Sequence, residues 1–155
     1  MNKITLTHDL NTDTMNNFGL DTSLINEIEN IQCDGFHRMP QFKESLIEAF
    51  SHHGFVKRIS LDQDHKLYIT GKKNKIGLCI QMGHKSGFYF DLFKLSYLVR
   101  RNKIDRALVI LPAKEIEKFC NTSSVATYEL ISKQMSLFKK NVDFELHLLQ
   151  LNFQK

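Results

Sequence analysis

Tryptophan is absent from the 155 residues, proline occurs only at Pro40 and Pro112, and cysteine only at Cys33, Cys79 and Cys120. An odd number of thiols with no CxxC pair excludes a disulfide scaffold and fits a reducing compartment. Cys33, His37 and the adjacent His52 and His53 do not supply four ligands at finger-like spacing, so ordinary surface and core histidines are expected rather than zinc. No stretch approaches the ~20 apolar residues of a membrane span, and residues 1–10 lack a charged-then-apolar signal pattern. A cytoplasmic location is the expectation. Low-complexity tracts, internal repeats and Pro/Gly-rich linkers are also missing, so residues 1–155 are expected to form a single domain.

What the chain does have is an ordinary globular balance, 42% hydrophobic and 25% charged, enough to bury about two thirds of its unfolded surface. Its net charge of +4 is unevenly distributed. Residues 1–36 sum to −5 and residues 66–103 to +8, where Lys66, Lys72, Lys73, Lys75, Lys85, Lys94, Arg100, Arg101 and Lys103 oppose only Asp91. A clustered basic face is what phosphate binding requires, although lysines on a hairpin also serve to solubilise an exposed strand edge.

Residues 75–112 read as a β-loop-α-β unit around which the remainder packs. Ile76, Leu78 and Ile80 form a first strand, Phe88, Leu92, Leu95 and Val99 mark the buried stripe of a helix, and residues 107–111 form an unbroken apolar strand parallel to the first. Arg100, Arg101 and Lys103 suit the helix C-terminus. Before this unit, residues 1–20 are expected to be an irregular arm with at most a short strand at 4–6. Asp21, Thr22 and Ser23 offer caps to a helix that buries Leu24, Ile25, Ile28 and Ile31 and leaves Glu27 and Glu29 in solvent. After a turn at Asp34 and Gly35, a helix begins at Pro40, buries Phe42, Leu46, Ala49 and Phe50, and stops at Gly54. Lys43, Glu44 and Glu48 form its solvated face. Strands at 55–61, 66–70 and 75–82, with polar turns at 62–65 and 71–74, make an antiparallel meander. Beyond the central unit come a short helical segment from Pro112, a linker at 121–124, and a helix with Tyr128, Ile131, Met135 and Phe138 on one face. The C-terminal alternation of Val142, Phe144, Leu146 and Leu148 slips phase at Leu149, Leu151 and Phe153, which predicts a strand with a bulge or bend. The order α-β-β-β-α-β-α-β gives an α/β protein with a mixed sheet flanked by helices.

Two runs carry a more specific signal: HKLYITGKKNKIGLCIQMG (65–83) and GFYFDLFKLSYLVRRNKIDRALVILPAKEI (87–116). Strand, aromatic loop, a helix with Asp-Leu-Phe-Lys, a Lys-Ile-Asp turn and a Val-Ile-Leu-Pro strand together resemble the BglII-type restriction endonucleases of the PD-(D/E)xK nuclease superfamily. The resemblance implies a restriction-endonuclease-like fold and a site for metal-dependent phosphodiester hydrolysis. In such a site an Asp ending one hairpin strand and a Glu on the next hold one or two Mg²⁺ ions, and a Lys or Gln two residues after the Glu places the attacking water. Carried onto this chain, the Gln is retained as Gln81, the Glu position is Cys79, and the Asp position is Thr70, or Tyr68 with a hairpin two residues longer. A neutral thiol is too soft a ligand to replace a carboxylate on Mg²⁺. Acids available to rebuild the site are Glu48, Asp64 and Asp91, although Asp91 has the simpler role of favouring a helix N-terminus.

Two expectations follow. In the first, the chain is a non-catalytic pseudo-nuclease that binds a partner. That partner is either a protein, such as a cognate toxin or nuclease met by an immunity-like inhibitor, or nucleic acid met by Lys66, Lys72, Lys73, Lys75, His84 and Lys85, with a homodimer possible and no cofactor. In the second, it is an active Mg²⁺-dependent DNA endonuclease with relocated carboxylates.

Overall fold

The computed structural model describes residues 3–33, 39–120 and 122–154. The elements run β1 (Lys3–Thr7), α1 (Thr12–Asn17), α2 (Thr22–Glu29), α3 (Met39–His52), β2 (Val56–Ser60), β3 (Tyr68–Lys73), β4 (Ile76–Ile80), α4 (Lys85–Arg100), β5 (Arg106–Pro112), α5 (Ile116–Cys120), α6 (Tyr128–Phe138) and β6 (Glu145–Gln154). Six strands form one mixed sheet in the order β1-β6-β5-β4-β3-β2. β2, β3 and β4 are the expected antiparallel meander, and β5 lies parallel to β4.

Strand alternation divides the core into two layers. Ile76, Leu78 and Ile80 of β4 and Leu108 and Ile110 of β5 face α1, α2 and α3, where Phe18, Leu24, Ile28, Phe42, Leu46 and Phe50 are buried. Cys79 and the odd-numbered Ala107, Val109 and Leu111 face the other way, toward Phe88, Leu95 and Leu98 of α4 and Ile131 of α6. β5 is covered on both sides, which explains its continuous apolar run. The result is a helix-sheet-helix sandwich.

Several sequence expectations are met. Asp21 caps α2, accepting from Leu24 N–H at 2.8 Å. The α3 stripe is buried as expected, and Gly54 follows the helix with φ +92°. Other expectations need correction. The first twenty residues are not irregular: β1 pairs with β6 from Lys3↔Gln154 to Thr7↔Gln150, and α1 is capped by Asn11. The short strand allowed at 4–6 is the centre of β1, and both of its apolar side chains, Ile4 and Leu6, are buried. β3 continues through Gly71 to Lys73, so the expected turn contracts to Asn74, at φ 52°, and Lys75. β6 has no bulge, since its register with β5 holds from Glu145 to Leu151. The phase slip reflects a change in which face is covered: Leu146 and Leu148 contact the α4/α6 layer, and Leu149, Leu151 and Phe153 the opposite one. The turn at Asp34 and Gly35, and His37 of the discounted zinc set, lie outside the described residues.

Glu27 and Glu29 do not face solvent without partners. Glu29 Oε1 accepts from Leu6 N–H at 3.4 Å, and Glu27 bridges to α3 by accepting from His52 Nδ1 at 2.7 Å and His53 Nε2 at 2.9 Å. These contacts, the His52 hydrogen bond foremost, hold the Glu27 carboxyl below its ordinary range. A carboxyl whose folded pKa is depressed contributes stability above its unfolded value and loses it as pH falls through the folded one. Glu27→Gln is therefore expected to lower the urea midpoint at pH 7 and to converge with the wild-type chain on acidification below pH 4.5. An undiminished difference at pH 3 would show that Glu27 acts through packing alone.

Candidate functional site

At the end of the meander where β4 runs into α4, the sheet opens into a cleft of about 1040 Å³. Its floor is Thr70, Ile80 and Gln81; α3 supplies Lys43 and Glu44, β2 supplies Lys57 and Arg58, and α4 supplies Phe90, Asp91 and Lys94. Four cations and two acids line it, and Glu48 pairs with Lys57 from outside the lining, which leaves a small excess of positive charge in a concave surface that favours anions.

A buried polar network stands at the centre of the cleft. Asp91 is 8% exposed, on the same α4 stripe as Phe88, Leu95 and Leu98. One carboxylate oxygen accepts from Lys94 Nζ at 2.5 Å and the other from Gln81 Nε2 at 2.9 Å. Gln81 Oε1 in turn accepts from Gly83 N–H at 2.8 Å, and Lys94 Nζ also donates to the Tyr68 carbonyl at 2.9 Å. The amide approaches α4 so closely that a Cβ on Gly87 would stand 2.7 Å from Gln81 Nε2. Lys94 is also 5.1 Å from the Phe90 ring centre. The network ties β3, β4 and α4 together. Asp91 therefore does not serve the helix N-terminus, as expected from sequence, but balances a largely buried ammonium.

The two positions that the resemblance assigns to metal-binding acids hold other chemistry. Thr70 Oγ1 accepts from Ile80 N–H at 3.0 Å, one rung beyond the last paired residues Gly71 and Leu78, so its hydroxyl completes the β3–β4 ladder. Cys79 is 1% exposed in the α4/α6-side core, and burial, with the Asp91 charge adding to it, pushes its thiol well above the ordinary range. It has neither the charge to bind a hard cation nor the thiolate character of a nucleophile. Among the described residues no three His, Cys, Asp or Glu side chains converge as a metal-binding group. The proposed replacements are scattered. Glu48 is paired with Lys57. Asp64 lies in the exposed loop after β2, where its N–H donates to Asp62 at 3.1 Å. Only Asp91 reaches the cleft, and both its oxygens are occupied. These residues do not fit a Mg²⁺ site.

The six basic residues singled out in the sequence are not gathered on one surface. Lys66 precedes β3 and His84 and Lys85 follow β4, on the cleft side of the meander, and His84 caps α4 by accepting from Ser86 N–H at 3.1 Å. Lys72, Lys73 and Lys75 lie at the other end of the hairpin, roughly 20 Å away by strand rise. Lys73 Nζ donates to the His53 carbonyl at 2.8 Å and Lys75 Nζ to the Asn102 carbonyl, so both ammoniums are used in joining elements. Sequence spacing concealed the cleft's own cations because they come from separate elements. Lys43 was assigned to a solvated helix face, Lys57 and Arg58 carried no motif, and Lys94 was read only as part of the Asp-Leu-Phe-Lys run and of the basic segment.

This architecture and cleft define a restriction-endonuclease-like α/β protein. The family model for restriction endonuclease BglII/BglIII matches residues 10–147, and the chain belongs to that family. Among solved structures, restriction endonuclease BglII complexed with a DNA 16-mer superposes with a TM-score of 0.65 at 10% identity, covering 100% of this chain and 77% of that one. Free BglII gives 0.51 at 15% identity, covering 97% and 78%. At such identities the likeness speaks for the fold. A search of curated protein sequences gives no match.

The network assigns Gln81 a structural task. Gln81→Ala removes the partner of a buried carboxylate oxygen and of the Gly83 N–H, and is expected to cost about 1–3 kcal/mol in urea unfolding. A change within about 0.5 kcal/mol, the usual range for an uninvolved surface position, would make the residue a dispensable relic.

Proposed function

We propose that this chain is a nucleic-acid-binding member of the BglII family that does not cleave its ligand. The observation that carries this reading is the state of the family's acid positions: Thr70 and Cys79 bear no carboxylate, and the one buried acid of the cleft, Asp91, is already neutralised by Lys94. Two-metal hydrolysis depends on anionic oxygens to hold the ions and on the ions to generate the attacking hydroxide. What persists is a concave cationic surface, and cations at such a surface bind backbone phosphates without sequence information. The same cleft favours nucleic acid over an immunity-like protein contact, because Lys43, Lys57, Arg58 and Lys94 converge on one groove. That BglII itself was crystallised with a DNA 16-mer agrees with this choice.

Cleavage and binding are tested separately. With supercoiled plasmid and Mg²⁺ or Mn²⁺, no nicking above background is expected. Metal-dependent nicking above background by the wild type would overturn the non-cleaving reading, and its loss in an Asp91→Asn protein that still melts cooperatively would assign the relocated acid. A labelled DNA duplex is expected to bind at low salt, with an affinity that falls as salt rises.

A further inference from the structure

The cations of the cleft are unequal, and two of them meet at one residue. Arg58 places its guanidinium 4.6 Å from the centre of the Tyr68 ring, and Lys94 Nζ donates to the Tyr68 carbonyl at 2.9 Å. Arg58 has φ 56° within an otherwise extended edge strand. Lys57 pairs with Gly71 and Ile59 with Ile69, so the rung interrupted between them is that of Arg58 and Thr70. A left-handed conformation at a bulky residue is unfavourable and persists only where the surroundings impose it, and such residues concentrate at binding sites. Among the described residues Arg58 makes no hydrogen bond or ion pair, although its fork of five donors matches a phosphate. Lys94 has three donors, of which Asp91 and the Tyr68 carbonyl take two.

We infer that Tyr68 is the platform of a metal-independent phosphodiester-binding subsite, in which Arg58 and the remaining N–H of Lys94 contact the backbone of the bound nucleic acid. The subsite lies beside Thr70, where the family would hold a cation, and replaces an ion bridging protein and phosphate with two fixed cationic side chains. Arg58 brings directional hydrogen bonds and an accessible charge. Lys94 brings a charge held in place by Asp91, so that little side-chain freedom is lost on binding. This inference rests on the nucleic-acid reading above.

The test is binding of a labelled random-sequence DNA duplex across a salt series, with either Mg²⁺ or EDTA. The proteins compared are the wild type, Arg58→Gly, Lys94→Gln, Tyr68→Leu and the distant Lys72→Gln. Wild-type binding is expected to persist in EDTA and not to be strengthened by Mg²⁺, which competes for the phosphates as a counterion. Arg58→Gly and Lys94→Gln are each expected to weaken binding and to lower the magnitude of the log K against log salt slope by about one, with Lys72→Gln leaving it unchanged. Tyr68→Leu is expected to weaken binding without removing a charge. Glycine adopts φ 56° freely, so Arg58→Gly should melt no lower than the wild type and decides the matter if Lys94→Gln fails to fold. Absence of wild-type binding at low salt would overturn the nucleic-acid reading itself. Binding that requires Mg²⁺, or that keeps its slope in Arg58→Gly, would overturn the subsite and leave that reading standing.

Discussion

Lys94 carries its charge into the protein, and the elements around the cleft are joined through the groups that balance it. The ammonium side chain is 14% exposed and the Asp91 side chain 11%, so neither is well solvated. Desolvating two ions is costly and is offset only when their geometry is close and the remaining donors and acceptors are satisfied. Here those conditions are supplied by different elements: the acid by the preceding turn of α4, a backbone carbonyl by β3, and an amide by the residue that follows β4. Removal of either charge would leave the other buried without its counterion, which in comparable sites costs about 3–5 kcal/mol. The apolar stripe of α4 packs the helix on the sheet, and the ion pair within α4 adds polar links from it to Tyr68 and Gln81.

The same dependence explains why the glycine at 87 and the glutamine at 81 belong together. Gln81 spans from the Gly83 N–H to Asp91, and the space it needs is left by a helical residue without a side chain. Gln81 thus has a positioning role, because its amide donates to the buried acid of the cleft. Thr70 is held in a parallel manner. Its hydroxyl accepts from a strand N–H, so the position is bound into the sheet rather than presented to the cleft.

Much of the fold was legible in the sequence where burial is periodic. The α3 stripe of Phe42, Leu46, Ala49 and Phe50, the β5 run and the meander follow from side-chain spacing alone. All four residues of the α4 stripe contact the core, Phe88 and Leu95 fully buried and Leu92 and Val99 partly, but the hydrophobic template missed the buried Asp91 and Leu98. β1 was read only as a short strand at 4–6 in an irregular arm, since an edge strand with two buried side chains owes its length to pairing with β6 at the far end of the chain. The family was legible in the sequence. The residues of the cleft were legible only in part: Asp91 stood among the candidate acids, but its pairing with Lys94 looks like a surface i, i+3 contact, and nothing in the sequence around Arg58 signals a positive φ. Both depend on tertiary contacts with Tyr68 and Gln81 that no local pattern encodes.

Under the proposed reading, side-chain cations in place of a metal ion have a chemical consequence beyond charge. A divalent ion in a nuclease binds phosphate and also lowers the pKa of a coordinated water and stabilises the leaving oxygen, so binding and hydrolysis share one agent. Ammonium and guanidinium groups supply the electrostatic attraction and the hydrogen bonds to phosphate oxygens, but offer no coordination position from which water can be activated. A cleft built on Lys94 and Arg58 therefore separates the two functions. In the reading proposed for this chain, loss of the acids need not have meant loss of the ligand, because the groups that attract a phosphate backbone are distinct from those that would have cut it.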